Sequence, residues 1–129
     1  MAKKQDIHIT DAELEILQIL WGKKEATVKD VHEILNKNKD AVYSTTLKQM
    51  QIMFEKGLLT RNDNQRQHIY YPAVQQNKVQ KRFMDKLMNT FFSGSASQLV
   101  MQALDQYKTS PEELELIKTL IEKSKNPKK

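Results

Sequence analysis

The sequence predicts a mainly helical fold carrying one small β-hairpin, and three observations lead there. Leu, Ile, Met, Lys, Gln and Glu are abundant, while Gly and Pro each occur only 3 times in 129 residues. That balance favours helix over a many-stranded sheet. Apolar residues recur at helical spacing before and after a single stretch, Leu58 to Pro72, in which the period shortens around a polar turn.

The first helix is expected to open at Thr10. Thr10-Asp11-Ala12-Glu13 reads as a capping box, in which hydroxyl and carboxylate satisfy the orphan N–H groups of a helix start. Leu14, Leu17, Leu20 and Trp21 form its apolar stripe, and Gly22, suited to a left-handed backbone, is expected to end it. Thr27 caps a second helix whose stripe is Val28, Val31, Ile34 and Leu35, followed by a polar break from Asn36 to Asp40. A third helix runs from about Tyr43 to Lys56. Leu47, Met50, Met53 and Phe54 share one face, Ser44, Thr45, Lys48 and Ile52 the opposite one, and Gly57 closes it. Leu59-Thr60-Arg61 and Gln67-His68-Ile69-Tyr70-Tyr71 then read as strands flanking the turn Asn62 to Arg66.

Helical spacing returns from Gln75. Val79, Phe83, Leu87 and Phe91 recur every fourth residue, Ser93-Gly94-Ser95 interrupts, and a shorter helix carries Leu99, Val100, Ala103 and Leu104. The last helix starts at Ser110-Pro111-Glu112-Glu113, with serine at the cap, proline at the first helical position and a carboxylate at the third. Leu116, Ile117, Leu120 and Ile121 are its stripe, and the Lys-rich end from Lys123 is expected to be unstructured. The length suits one ordinary domain or two small ones sharing a junction, here divided as residues 1–74 and 75–129.

Three helices followed by a hairpin is the order of a winged helix-turn-helix, whose third helix enters the major groove while the hairpin lies along the backbone. The outward face of the third helix offers Ser44, Thr45, Lys48 and Gln49, all able to bond a phosphate or a base edge and none a carboxylate. Ile52 on the same face can meet a thymine methyl, meet a partner or simply stand exposed. From Lys37 to Lys78 there are 7 basic residues against 3 acidic ones, within a chain of net charge +5. Arg61, Arg66 and His68 on the hairpin complete the candidate DNA contacts. The same pattern also fits an ordinary solvated surface, or a winged helix whose third helix docks on another protein.

The C-terminal half holds Phe83, Leu87, Phe91, Phe92, Leu99, Leu116, Ile117, Leu120 and Ile121 with little else to cover them. A second copy of the chain is the simplest cover, because a two-fold dimer also matches a palindromic site. The alternative folds these helices back on the N-terminal core as one monomeric domain.

Other functions find little support. Cysteine is absent, which removes disulfides, thiolate metal sites and thiol nucleophiles. His32-Glu33 lacks the second histidine of a zinc helix, since position 36 is Asn36. Ser93-Gly94-Ser95 lacks the order of a nucleophile elbow, and no Gly-rich phosphate loop occurs. No enzymatic activity, cofactor or metal is therefore expected. Met1 to Asp6 lacks the apolar core of a signal peptide and no uncharged stretch is long enough to span a bilayer, so a cytoplasmic location is expected.

Several segments together resemble a known family. Thr10-Asp11-Ala12-Glu13-Leu14-Glu15-Ile16-Leu17 leads to Leu20-Trp21, and Tyr43-Ser44-Thr45-Thr46 leads to Lys56-Gly57-Leu58. Tyr70-Tyr71-Pro72 follows, then Phe92-Ser93-Gly94-Ser95 with Gln98-Leu99-Val100. In this order, over nearly the whole chain, they are similar to the penicillinase-repressor (BlaI/MecI/CopY) family of bacterial transcriptional regulators. The resemblance implies a winged-helix repressor whose last three helices interlock between two subunits and hold two heads on operator DNA. It also implies regulated release, in several members by a membrane-bound sensor protease that cuts the C-terminal domain. Those members carry Asn-Phe at the cut, where this chain has Gln102-Ala103. The copper-responsive branch needs a cysteine cluster that this chain lacks, and Ile52 stands where the recognition helix usually carries a basic residue.

Overall fold

The computed structural model describes residues 8–126. The elements are α1 (Asp11–Lys23), α2 (Val28–Asn38), α3 (Tyr43–Glu55), β1 (Leu59–Asn62), β2 (Ile69–Pro72), α4 (Gln76–Phe91), α5 (Ala96–Gln106) and α6 (Pro111–Lys125). Three helices and an antiparallel hairpin form a winged helix, as the pattern predicts.

Local start signals act where they stand in the sequence. The Thr10 hydroxyl accepts the Glu13 N–H at 3.2 Å, and the Glu13 carboxylate accepts the Thr10 N–H at 3.0 Å. Thr27 and Asp30 repeat that exchange at the start of α2, at 3.1 and 3.3 Å. Such caps remove orphan donors and are each worth about 1 kcal/mol. At α6 the Ser110 hydroxyl takes the Glu113 N–H at 3.1 Å, with Pro111 opening the helix.

Three helix boundaries differ from expectation. Helix α1 runs through Gly22, and the left-handed residue is Lys24, at φ 79°. Ala26 exchanges both backbone hydrogen bonds with Tyr70, at 3.1 and 2.8 Å, so the place where the chain must meet the hairpin sets where the helix ends. Helix α2 continues to Asn38 through most of the expected break, because polar side chains alone do not end a helix. Helix α6 extends past Lys123 to Lys125, whereas residues 127–129 of the Lys-rich end lie outside the described residues.

The hairpin pairs Leu59 with Pro72, Thr60 with Tyr71, Arg61 with Tyr70 and Asn62 with Ile69. Gln67 and His68 fall outside β2. The Asn62 side-chain oxygen accepts the Asn64 N–H at 2.8 Å, an Asx turn that draws the chain away from the ladder.

The chain divides into two compact units, one reaching Lys81 and the other starting at Arg82, so the division falls inside α4. The first unit has a continuous core. Ile16, Leu17 and Leu20 of α1 pack with Val31 of α2, Met50 and Met53 of α3, Leu58, Leu59 and Tyr70, and Val79 from the first turn of α4 joins them. Each such large aliphatic side chain stabilises the fold by roughly 1.5–3 kcal/mol on burial. The Trp21 indole N–H donates to the Val74 carbonyl at 2.9 Å, which fastens the segment after the hairpin to α1.

The second unit has no such core. No residue of α5 or α6 is buried, and Phe83, Phe91, Leu116, Leu120 and Ile121 are all exposed. Leu87, Phe92, Leu99 and Ile117 are half-buried.

Candidate nucleic-acid interface

Helix α3 is held from three directions. Met50 and Met53 sink into the core and Thr46 is buried beside them. From α2, the His32 ring places Nδ1 3.4 Å from the Thr46 hydroxyl and meets the Tyr43 ring edge-on at 5.4 Å. At the far end Lys56, the C-cap of α3, reaches Glu13 of α1.

That last contact is a part-buried ion pair, the carboxylate buried and the ammonium partly exposed, with several donors on one carboxylate. The Lys56 ammonium donates to both Glu13 oxygens, at 2.8 and 2.9 Å, and to the His8 carbonyl at 2.8 Å. The Gln49 amide adds a bond at 3.4 Å. Burial alone would push the Glu13 carboxyl up. The Lys56 ammonium and the Thr10 N–H outweigh it and hold the group below its ordinary range.

The solvent face of α3 carries Ser44, Thr45, Lys48 and Ile52, all exposed. Gln49 is half-buried, its amide shared with Glu13. At the helix start the cap residue is Val42, which offers no side-chain cap, while the Thr45 and Thr46 N–H groups bond the Val42 carbonyl. The N–H groups of Tyr43 and Ser44 therefore have no partner within the helix, the usual condition for accepting an anion from outside.

On the wing, Arg61 is committed within the fold. Its guanidinium stacks on Phe54 at 4.1 Å from the ring centre, donates to Asp63 at 2.8 Å and reaches the Tyr70 hydroxyl at 3.4 Å. Arg66 is exposed near the tip, and His68 lies with Nδ1 3.5 Å from the same Asp63 carboxylate.

These pairings correct the charge picture read from sequence. Of the 7 basic residues between Lys37 and Lys78, Lys39 pairs with Glu15, Lys56 with Glu13 and Arg61 with Asp63. Lys48 and Arg66 make no ion pair among the described residues, and neither does Lys29 at the start of α2. Lys29, Tyr43 and Gln51 were not singled out by sequence reasoning, yet they line one cleft with Arg66 and His68. Among the described residues no group of His, Asp or Glu could hold a metal ion, and no helix is long and apolar enough to cross a membrane.

Comparison with known proteins agrees with this geometry. The sequence model of the penicillinase repressor family matches residues 9–123. The penicillinase repressor of Bacillus licheniformis is 25% identical over 121 residues, covering 94% of each chain. The methicillin resistance regulatory protein MecI of Staphylococcus aureus strain N315 is 24% identical over 115 residues, 89% of this chain and 94% of that protein. Among solved structures, the DNA-binding domain of the repressor BlaI superposes with a TM-score of 0.51 at 24% identity, over 57% of this chain and 90% of that one. The monomeric form of Bacillus licheniformis BlaI in complex with the blaP half-operator gives 0.50 at 24%, over 58% and 92%. At that identity the two structures speak for the fold.

Proposed function

The chain belongs to the penicillinase repressor family, and from that premise we propose that it is a transcriptional repressor that binds a palindromic operator as a homodimer, with α3 in the major groove. The observation that carries the reading is the exposed, carboxylate-poor face of α3 beside an uncapped helix start, in a fold shared with a repressor solved on its half-operator. Ser44 and Thr45, at the entering end, are placed for phosphate or base edges, Lys48 for either, and Ile52 for a thymine methyl. Gln49 reaches a base only by releasing Glu13. Arg66 and His68 on the wing would meet the backbone, whereas Arg61 serves the wing first through Phe54 and Asp63.

Phe83, Leu87, Phe91, Phe92, Leu99, Leu116, Ile117, Leu120 and Ile121 are the proposed pairing surface of residues 75–129, with residues 1–74 as the DNA-binding head. The support is the amount of apolar side chain that the second unit leaves uncovered. A membrane-bound sensor protease belongs to the same reading, since a cut at exposed Gln102 and Ala103 would remove α6.

The test is a gel shift of the full chain against DNA from its own upstream region, run at two salt concentrations, with sedimentation of the protein alone. A repressor gives a shifted band that weakens steeply with salt, and a dimer at micromolar concentration. No shift at low salt would favour a winged helix that docks on another protein.

A further inference from the structure

We propose that the cleft between the start of α2, the side of α3 and the wing is a phosphate site that grips one phosphodiester of the DNA backbone beside the major groove. This rests on the DNA-binding reading and adds to it a site outside the recognition face.

Three elements wall the cleft. Lys29 comes from the first turn of α2, Arg66 and His68 from the wing, and Tyr43 and Gln51 from α3, over a floor that includes Val28 and Leu47. No carboxylate lines it. Asp63 stands outside the lining, 3.5 Å from His68 Nδ1. Lys29 and Arg66 are exposed and make no ion pair among the described residues, unlike Lys39, Lys56 and Arg61. The cleft therefore gathers two cations that have no ion-pair partner among the described residues at a place lined by no carboxylate.

Position decides what the ligand is. Tyr43, Leu47 and Gln51 follow at intervals of four and form one flank of α3, adjacent to the outward row Ser44, Lys48 and Ile52. A helix with side chains is about 10–12 Å across and the major groove about 12 Å wide. With the outward row against the bases, the flank must face a sugar-phosphate strand. The phosphate carries the charge that Lys29 and Arg66 lack as a partner, and the Tyr43 hydroxyl and Gln51 amide can donate to its oxygens.

The experiment measures affinity by fluorescence anisotropy over a salt series, with a short duplex selected from a random pool by the full chain. Wild type is compared with Lys29→Gln, Arg66→Gln, the double variant and a control, Lys37→Gln, at the other end of α2. The double variant should bind about threefold to tenfold more weakly on selected and scrambled duplexes alike, and lose about one unit of salt slope for each head bound. A neutral methylphosphonate at one backbone position should weaken wild type but not the double variant. A double variant indistinguishable from the control overturns the cleft assignment and leaves the DNA reading standing. A wild type that binds no duplex removes both. If inorganic phosphate saturates the cleft, seen in the His68 ring signals, and displaces duplex more than chloride at equal ionic strength, the ligand is a small anion and the backbone assignment is overturned.

Discussion

The Lys56 ammonium bridges both carboxylate oxygens of Glu13 and so ties the C-cap of α3 to the first turn of α1, 43 residues earlier. Glu13 is only 2% exposed, so its charge depends on that partner. Lys56→Met keeps the stem's packing and removes the cation, leaving a buried carboxylate with the Thr10 and Gln49 donors alone. The expected loss is about 3 kcal/mol, read as a lower denaturant midpoint with an unchanged slope. A midpoint within experimental error of wild type would show that the pair contributes nothing net.

The same carboxylate predicts an acid-sensitive head. Its partners hold Glu13 below its ordinary value of 4.5, so the folded state binds the proton more weakly than the unfolded chain does. The stability this contributes is complete above about pH 4.5 and is lost as pH falls through the lower folded value. Denaturation of wild type and Glu13→Gln near neutral pH and near pH 3.5 should show their difference shrinking in acid. An equal gap at both would assign the acid sensitivity to other groups.

How much of this was legible depended on range. Thr10 with Glu13, Thr27 alone, and Ser110 with Pro111 announce helix starts within four residues, and all three cap as read, with Asp30 adding a reciprocal bond at Thr27 that was not read. The end of α1 was not legible at Gly22, because a bridge to Tyr70 controls it. Glu13 read as a cap, and Lys56 as the end of a helix and one of the 7 basic residues between Lys37 and Lys78. Nothing local says that they meet, or that Arg61 would lie over Phe54 instead of pointing outward. The cleft is intermediate. Spacing puts Tyr43 and Gln51 on one flank of α3, but only the folded wing brings Arg66 opposite Lys29.

Pairing through the second unit predicts a sharp response to one charge. Leu116 is 57% exposed in the single chain, so aspartate there leaves the monomer's own packing largely untouched. In a dimer that covers it, the carboxylate would be buried without a partner, at a cost of roughly 2 kcal/mol or more, enough to weaken association about thirtyfold or beyond. Sedimentation should then find Leu116→Asp as a monomer where wild type is a dimer, with equal helical content. Equal association of the two would place the pairing surface elsewhere.

The last prediction concerns the link between C-terminal integrity and DNA binding. Every residue of the buried core lies at or before Val79, so a chain ending at Met101 should keep a folded head with its α3 face unchanged. It would lose α6 entirely, and with it Leu116, Ile117, Leu120 and Ile121. One head alone makes few contacts. Joined to a second, it binds its half-site at an effective concentration in the millimolar range, which raises overall affinity by about a hundredfold to ten-thousandfold. Titrating the truncated and full chains against an operator with two half-sites should reveal that gap, while against a single half-site the two should bind alike. The truncated chain should also show roughly half the salt slope, because only one head neutralises phosphates. If it bound the double site as tightly as the full chain, the heads would act independently, and loss of α6 could not be the event that lifts repression.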